Sequence, residues 1–322
     1  MYDVTALGEI LIDFTPAGLS EQGNACFERN PGGAPANVLA CISKLGGKTA
    51  FIGKVGEDIF GKYLFEVLKT YNIDASGLRS SSTTNTTLAF VQLDEKGDRS
   101  FSFYRNPGAD TTLEESEVDK GLIADSKVFH FGSLSLTSEP SRSATLAALK
   151  HAKKSGCTIS YDLNYRPALW KNAGHALAEM KSVLNYADIL KISEEEMEFI
   201  TGEKSLDAGS SLLCSRYGIS LVLVTRGRLG CYYRLGSFTG SKPTFEKVRT
   251  VDTTGAGDAF LGGFLFSMLS NGIRHPGQLD ENNLEKFITF SNAVASICTA
   301  KKGAIPAMPG LQQVNELLQG IE

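Results

Sequence analysis

A chain of 322 residues, 42% hydrophobic and 21% charged, has a globular composition and enough length to bury one large core or two smaller ones. Its net charge of −4 comes with no basic cluster, which argues against nucleic acid as a partner. The six cysteines (Cys26, Cys41, Cys157, Cys214, Cys231, Cys298) form no CxxC pair and have no histidine at zinc-ligand spacing, so they read as reduced thiols of a cytoplasmic protein.

Met1–Ile12 lacks a basic region followed by an apolar run and does not read as a signal peptide. Asp3–Leu7, stopped by Gly8, reads as a buried strand. Pro35–Leu45 has helical spacing, with Gly46 and Gly47 ending it, and Thr49–Gly53 is a strand. Asp58 caps a helix in which Leu64, Val67, Leu68 and Tyr71 share one face. Thr86–Leu93 and Arg99–Tyr104 are β-rich and joined by a hairpin tip, Asp94–Asp98. Strands then alternate with helices: Lys127–Phe131, Thr158–Tyr161, Ile189–Ile192 and Leu221–Thr225 against Glu139–Ser155, Ala173–Leu184 and Leu206–Tyr217. That alternation predicts an α/β fold with a parallel sheet covered on both faces. The tail is helical at Ala256–Leu269, Leu284–Ala300 and Leu311–Leu318. Its most apolar run, Ala259–Ile273, is interrupted by Gly262, Gly263, Ser267, Ser270 and Asn271 and is too short for a membrane. Segments 14–30 and 85–105 interrupt the alternating plan and are expected to form a small sheet standing over the main one as a lid, within one domain spanning 1–322.

Gly56–Tyr63 imitates a phosphate-binding loop but ends in Tyr63 where a hydroxyl must meet magnesium, and Glu57 and Asp58 would repel phosphate. No G-x-G-x-x-G follows the first strand, which argues against a dinucleotide fold. The informative segment is Val251–Phe260. Gly255, Ala256 and Gly257 form a turn that opens an apolar helix with Asp258 in its first turn. Converging amides and the helix dipole suit an anion, and Asp258 can take a proton from a nearby hydroxyl. A tight turn that packs a helix onto a strand is the ordinary alternative. Asn30–Asn37 likewise combines glycines that let a ligand approach, Pro35 at a helix start, and Asn37 as donor and acceptor.

These two segments, Gly32-Gly33-Ala34-Pro35-Ala36-Asn37 and Asp252-Thr253-Thr254-Gly255-Ala256-Gly257-Asp258, resemble the two signatures of the ribokinase-like (PfkB) sugar-kinase family. The resemblance covers the whole chain. Gly8–Phe14, Phe129–Ser133, Ile159–Asn164 and Leu190–Glu196 are most similar to the fructokinases of that family. It implies a three-layer α/β/α sandwich with a β-sheet lid, and ATP with Mg2+ as phosphoryl donor. Asp258 is then the base and the backbone of Gly255, Ala256 and Gly257 the anion hole. Asp13, Gly32, Gly33 and Asn37 match positions that hold sugar hydroxyls, with Arg105 and Arg166 approaching substrate. Lys191, Ser193, Thr225, Gly227, Gly230 and Asn292 match nucleotide positions, and Glu196 the acid that organises Mg2+ through water. Asp252 and Thr254, with carbonyls near Cys298, Lys301 and Gly303, resemble a K+ site. Ser193 departs from the commoner asparagine, and Arg226 from a hydrophobic residue.

The resemblance implies phosphorylation of D-fructose to fructose 6-phosphate; the charge and the short apolar run predict no nucleic-acid or membrane partner, and the exposed edges of the lid are expected to pair into a homodimer. A 2-keto-3-deoxygluconate kinase, whose carboxylate substrate would call on Arg105 and Arg166, and a non-catalytic sugar sensor are the alternatives.

Overall fold

Strand β1 (Tyr2–Leu7) is buried on both sides: Val4 and Ala6 enter one core while Leu7 enters another. Side chains of a strand alternate between faces, so a run apolar at both needs a layer on each side. In the computed structural model, which describes residues 1–93 and 99–320, helices supply those layers. Helices α1 (Ala34–Leu45), α2 (Ile59–Thr70), α8 (Ala256–Ser270) and α9 (Glu281–Thr299) cover one face, with α10 (Leu311–Gln319) against α9. Helices α3 (Lys120–Ala124), α4 (Ser141–Lys154), α5 (Ala173–Ser182), α6 (Glu194–Thr201) and α7 (Leu206–Tyr217) cover the other.

The main sheet has nine strands. Seven are parallel: β5 (Ile73–Ser81), β4 (Thr49–Gly56), β1, β8 (Ser126–Gly132), β9 (Thr158–Asp162), β10 (Ile189–Ser193) and β11 (Leu221–Thr225), in that spatial order. The order reverses at β1, where the chain first builds outward to β5 and later resumes at β8. A crevice at such a reversal, beyond the carboxyl ends of the strands, is where open α/β sheets bind ligands.

Two antiparallel strands, β12 (Cys231–Leu235) and β13 (Phe238–Lys242), close the other edge. They were not expected, although Gly236, in the left-handed region at φ 58°, carries the hairpin signal. Nor was β5, whose alternation is broken by Gly77.

A second sheet, in the order β3 (Ala25–Gly32), β2 (Leu11–Leu19), β6 (Leu88–Leu93) and β7 (Arg99–Tyr104), is the expected small one. The hairpin tip at 94–98 lies outside the described residues. Phe14 stacks on Phe90 at 4.8 Å and meets Phe60 of α2 edge-on at 5.8 Å. The Arg29 guanidinium lies 3.7 Å over the Tyr63 ring. Aromatic contacts thus hold the small sheet on α2.

Candidate active site

The imitation phosphate loop closes on itself. Asp58 accepts the amides of Phe60 and Gly61 and also binds the Thr86 amide and hydroxyl, so the start of α2 is occupied by its own acid. The start of α8 is different. Gly255 takes φ 76° with no side-chain cap, and a Cβ there would lie 2.7 Å from that of Ala304. The Ala256 amide turns back to the Thr253 carbonyl at 3.2 Å, which corrects its place in the anion hole. Among the described residues the amides of Gly255 and Gly257 have no backbone acceptor, and both glycines line a cavity of about 770 Å3. A Cβ on Gly257 would stand 2.8 Å from Lys191 Nζ, so an ammonium sits beside that amide.

Asp258, in the first turn of α8, is 8% exposed. Its Oδ2 accepts a hydrogen bond from Asn37 Nδ2 at 2.8 Å. Burial, then the Asp162 carboxylate, push its pKa up to about 6, against Lys191, the Asn37 bond and Arg166. Burial therefore outweighs the helix dipole, yet the group remains mostly ionised at neutral pH. A carboxylate so poised can take a proton from an alcohol.

Asp13, Gly33, Asn37 and Arg166 line the same cavity. Burial pushes Asp13 up to about 7, with Asp258 and Asp252 adding to it and Arg166 opposing. Gly32 is not on the wall; a Cβ there would fall 2.1 Å from Asp13 Oδ2, so the glycine leaves room for that carboxylate. Gly33, at φ 112°, lets the chain pass the Glu9 carbonyl, which a Cβ would meet at 2.4 Å. Arg105 corrects an expectation. It is buried, its Nη2 2.6 Å from Asp110, and it also binds Thr137 and the Leu134 carbonyl. It braces the wall behind Leu134 and does not face the cavity.

Lys191 is held by both Asp162 oxygens, at 3.0 and 3.2 Å. Burial would lower its pKa, but Asp162, Glu196 and Asp258 together raise it, so it stays charged. Ser193 and Glu196 form a reciprocal capping box at the start of α6. Ser193 Oγ accepts the Glu196 amide (3.1 Å), and Glu196 Oε2 accepts the Ser193 amide (2.8 Å) while its Oε1 accepts the Tyr165 amide (2.7 Å). The Ser193 hydroxyl is thus a cap that also lies on the wall of the first cavity. No three-residue metal cluster occurs among the described residues. Glu195 and Glu196 on the cavity wall fit a magnesium ion that arrives with phosphates and keeps its own waters.

A second cavity, about 690 Å3, meets the first at Thr253. Gly227 and Ala256 line it, together with Thr244, Phe245, Val248 and Thr299. The start of α8 therefore stands between two cavities. Thr225, Gly230 and Asn292 line neither and act from behind. The Thr225 hydroxyl donates to the Ile192 carbonyl. The Asn292 amide donates to the carbonyls of Lys242 and Pro243, each at 3.0 Å. Gly230 lets Lys242 pass, since a Cβ would fall 2.0 Å from its carbonyl oxygen. Asn292 and Gly230 thus fix the segment that enters the second cavity. Arg226, unassigned from sequence, pairs with Glu194 at 3.0 Å.

Asp252 is buried behind the turn. Its Oδ1 accepts the Thr254 amide (2.7 Å) and its Oδ2 the Gly303 amide (3.0 Å). The Cys298 thiol lies 3.9 Å from the Thr254 carbonyl, and the Cys298 carbonyl accepts the Lys301 amide at 3.3 Å. One buried carboxylate flanked by carbonyl-bearing loops is an oxygen donor set that fits a potassium ion.

Two features escaped the sequence reading. The segment from Thr244 to Thr250, a wall of the second cavity, carries no regular pattern. Glu9 falls in the Gly8–Phe14 motif with no role assigned, though an acid directly after a buried strand is a signal. It is 3% exposed and lines the first cavity.

The chain resembles known proteins throughout its length. A family model described as pfkB family carbohydrate kinase matches residues 1–310. "Probable fructokinase-5" of Arabidopsis thaliana is 44% identical over 98% of this chain and 97% of its own. A crystal structure of fructokinase with bound ATP from Xylella fastidiosa superposes with a TM-score of 0.91 at 32% identity, covering 100% of this chain and 99% of the other. Fructokinase from Vibrio cholerae, in a form with fructose, ADP and calcium bound, gives 0.89 at 32% identity and 99% of both chains. The match to the model across both signature segments shows that the chain belongs to the pfkB family of carbohydrate kinases.

Proposed function

We propose that the chain transfers the terminal phosphoryl group of magnesium-ATP to the 6-hydroxyl of D-fructose, giving fructose 6-phosphate and ADP. One observation carries this reading: an uncapped helix start, bearing a buried carboxylate, lies where two cavities meet. The cavity bearing Asp13, Gly33 and Asn37 takes the sugar, and the one bearing Gly227 takes the nucleotide. Asp258 removes the proton of the attacking hydroxyl. The Gly255 and Gly257 amides, with the Lys191 ammonium, stabilise charge on the group in transit. Glu196 and Glu195 hold the waters of the magnesium that accompanies ATP. A potassium ion at Asp252, Thr254 and the carbonyls of Cys298, Lys301 and Gly303 would steady the turn from behind. The fructose- and ADP-bound relative supports the choice of sugar. A keto-acid substrate is disfavoured, because Arg105 is committed to Asp110 and Lys191 to Asp162, leaving Arg166 as the cation for a carboxylate.

The small sheet serves as the lid. Leu19, Phe27 and Tyr104 on it are 72%, 42% and 67% exposed, and a second copy covering them would form a dimer. Free cysteines and the lack, among the described residues, of a helix long and apolar enough to cross a membrane fit a cytoplasmic setting. Coupled ADP release, screened over fructose, ribose, glucose and 2-keto-3-deoxygluconate with and without potassium, tests the reading. Preference for fructose is expected, and preference for the keto acid contradicts it.

A further inference from the structure

We infer that Glu9 is a further substrate-binding residue, its second carboxylate oxygen accepting a hydrogen bond from a hydroxyl of the sugar; this deepens the sugar-kinase reading and rests on it. Glu9 follows β1 at the point where the strand order reverses, which places it on the wall of the sugar cavity. Its Oε1 accepts the Ala34 amide at 2.8 Å, the first amide of α1. Its Oε2 is buried and has no hydrogen-bond partner. A buried polar oxygen left without a donor costs free energy, and such atoms in native proteins usually await a water or a ligand.

The surroundings do not satisfy it. Arg105 is the nearby cation, but its guanidinium is engaged by Asp110, Thr137 and the Leu134 carbonyl. Burial holds the Glu9 pKa up at about 7, Arg105 opposing and Asp110 adding to the rise. Capping α1 requires Oε1 alone, and a glutamine would serve as well. Asn37, one turn along α1, shows the same condition. Its Nδ2 is tied to Asp258 while its buried Oδ1 has no partner. Two acceptors without donors on the wall of one cavity suit a neutral ligand rich in hydroxyls, and a site built on such acceptors discriminates strongly when a hydroxyl is missing.

Steady-state ADP release is measured for the unaltered enzyme, Glu9→Gln and Glu9→Asp, with D-fructose and each of its mono-deoxy analogues that keeps the 6-hydroxyl. Glutamine keeps the cap but loses the charged acceptor, so the fructose KM should rise about ten- to a hundredfold with kcat within about threefold. For one deoxy analogue the variants and the unaltered enzyme should share the same KM. Glu9→Asp withdraws the carboxylate and should give the same pattern, which keeps the test decisive if the glutamine variant melts early. An unchanged KM, an equal rise for every analogue, or a loss in kcat alone would overturn the role of Glu9. Absence of turnover by the unaltered enzyme with every sugar would instead remove the kinase reading, and this inference with it.

Discussion

Helices α6 and α8 both begin on the same cavity, and they begin in opposite ways. At α6 the side chains of Ser193 and Glu196 take up each other's amides, one at the cap and one in the first turn. At α8 the cap is a glycine with no side chain, and the amides of Gly255 and Gly257 are left for something else. Every helix leaves amides unpaired at its start. A helix that satisfies them itself gains stability, while one that withholds them keeps a positive field available for an anion. The acids follow the same division. Glu196 binds backbone amides on both oxygens, whereas Asp258 is bonded to a side chain, Asn37, inside the cavity. The side-chain cap of α6 serves stability, and the uncapped start of α8 serves chemistry.

The contrast can be broken most severely at Asp258. Asp258→Asn should lower kcat by about 10²–10⁴-fold with the sugar affinity nearly intact, read by ADP release and by calorimetric titration with fructose. The folded state holds this carboxyl's proton more tightly than the ordinary value of 3.8 would allow. Stability from this group is therefore lost as pH rises through about 6, so the same variant should melt a few degrees higher at neutral pH. A variant of unchanged Tm and normal turnover would remove Asp258 from both roles.

Gly257→Ala should rank second. Its methyl group would crowd Lys191 Nζ at 2.8 Å and narrow the approach to the amide. A fall in kcat of about ten- to a hundredfold is expected, with the fructose KM within about twofold. An equal rise in KM would place the glycine in sugar binding instead.

The pH profile sharpens the picture. Asp13 and Asp258 are raised to about 7 and about 6, and both act ionised. kcat/KM should fall as pH drops below about 7, its slope exceeding one log unit per pH unit below 6, as Asp13, Asp258 and Glu9 (also held at about 7) take up protons. A profile flat across that range would contradict the assignment of both carboxylates.

Ser193→Ala should have the smallest effect on rate. Loss of the cap should reduce unfolding free energy by about 1 kcal/mol, with kcat within about threefold. A large loss of activity at unchanged stability would give the Ser193 hydroxyl a part in nucleotide binding.

What the sequence made legible follows from the range of the interactions. Strand β11 and helix α7 were read at their observed bounds because their periodicity is local. Asp58 was read as a cap because a cap acts within one turn. Asp258, Asn37 and Asp13 were named from motifs, and the structure brings them to one wall. Arg105 was misplaced because its partner, Asp110, is set by the fold rather than by a pattern. Asn292 was misplaced for the same reason, its acceptors lying about 50 residues away in sequence. Ala256 shows the finest limit, since a motif names a residue but does not say where its amide points.

The most direct measurement is a crystal structure with fructose, ADP and a planar aluminium fluoride in place of the transferring group. The account requires the fluorides within about 3 Å of the Gly255 and Gly257 amides, and the sugar's 6-hydroxyl on the Asp258 carboxylate. Fluoride bound at the start of α6, or a hydroxyl directed away from Asp258, would contradict it.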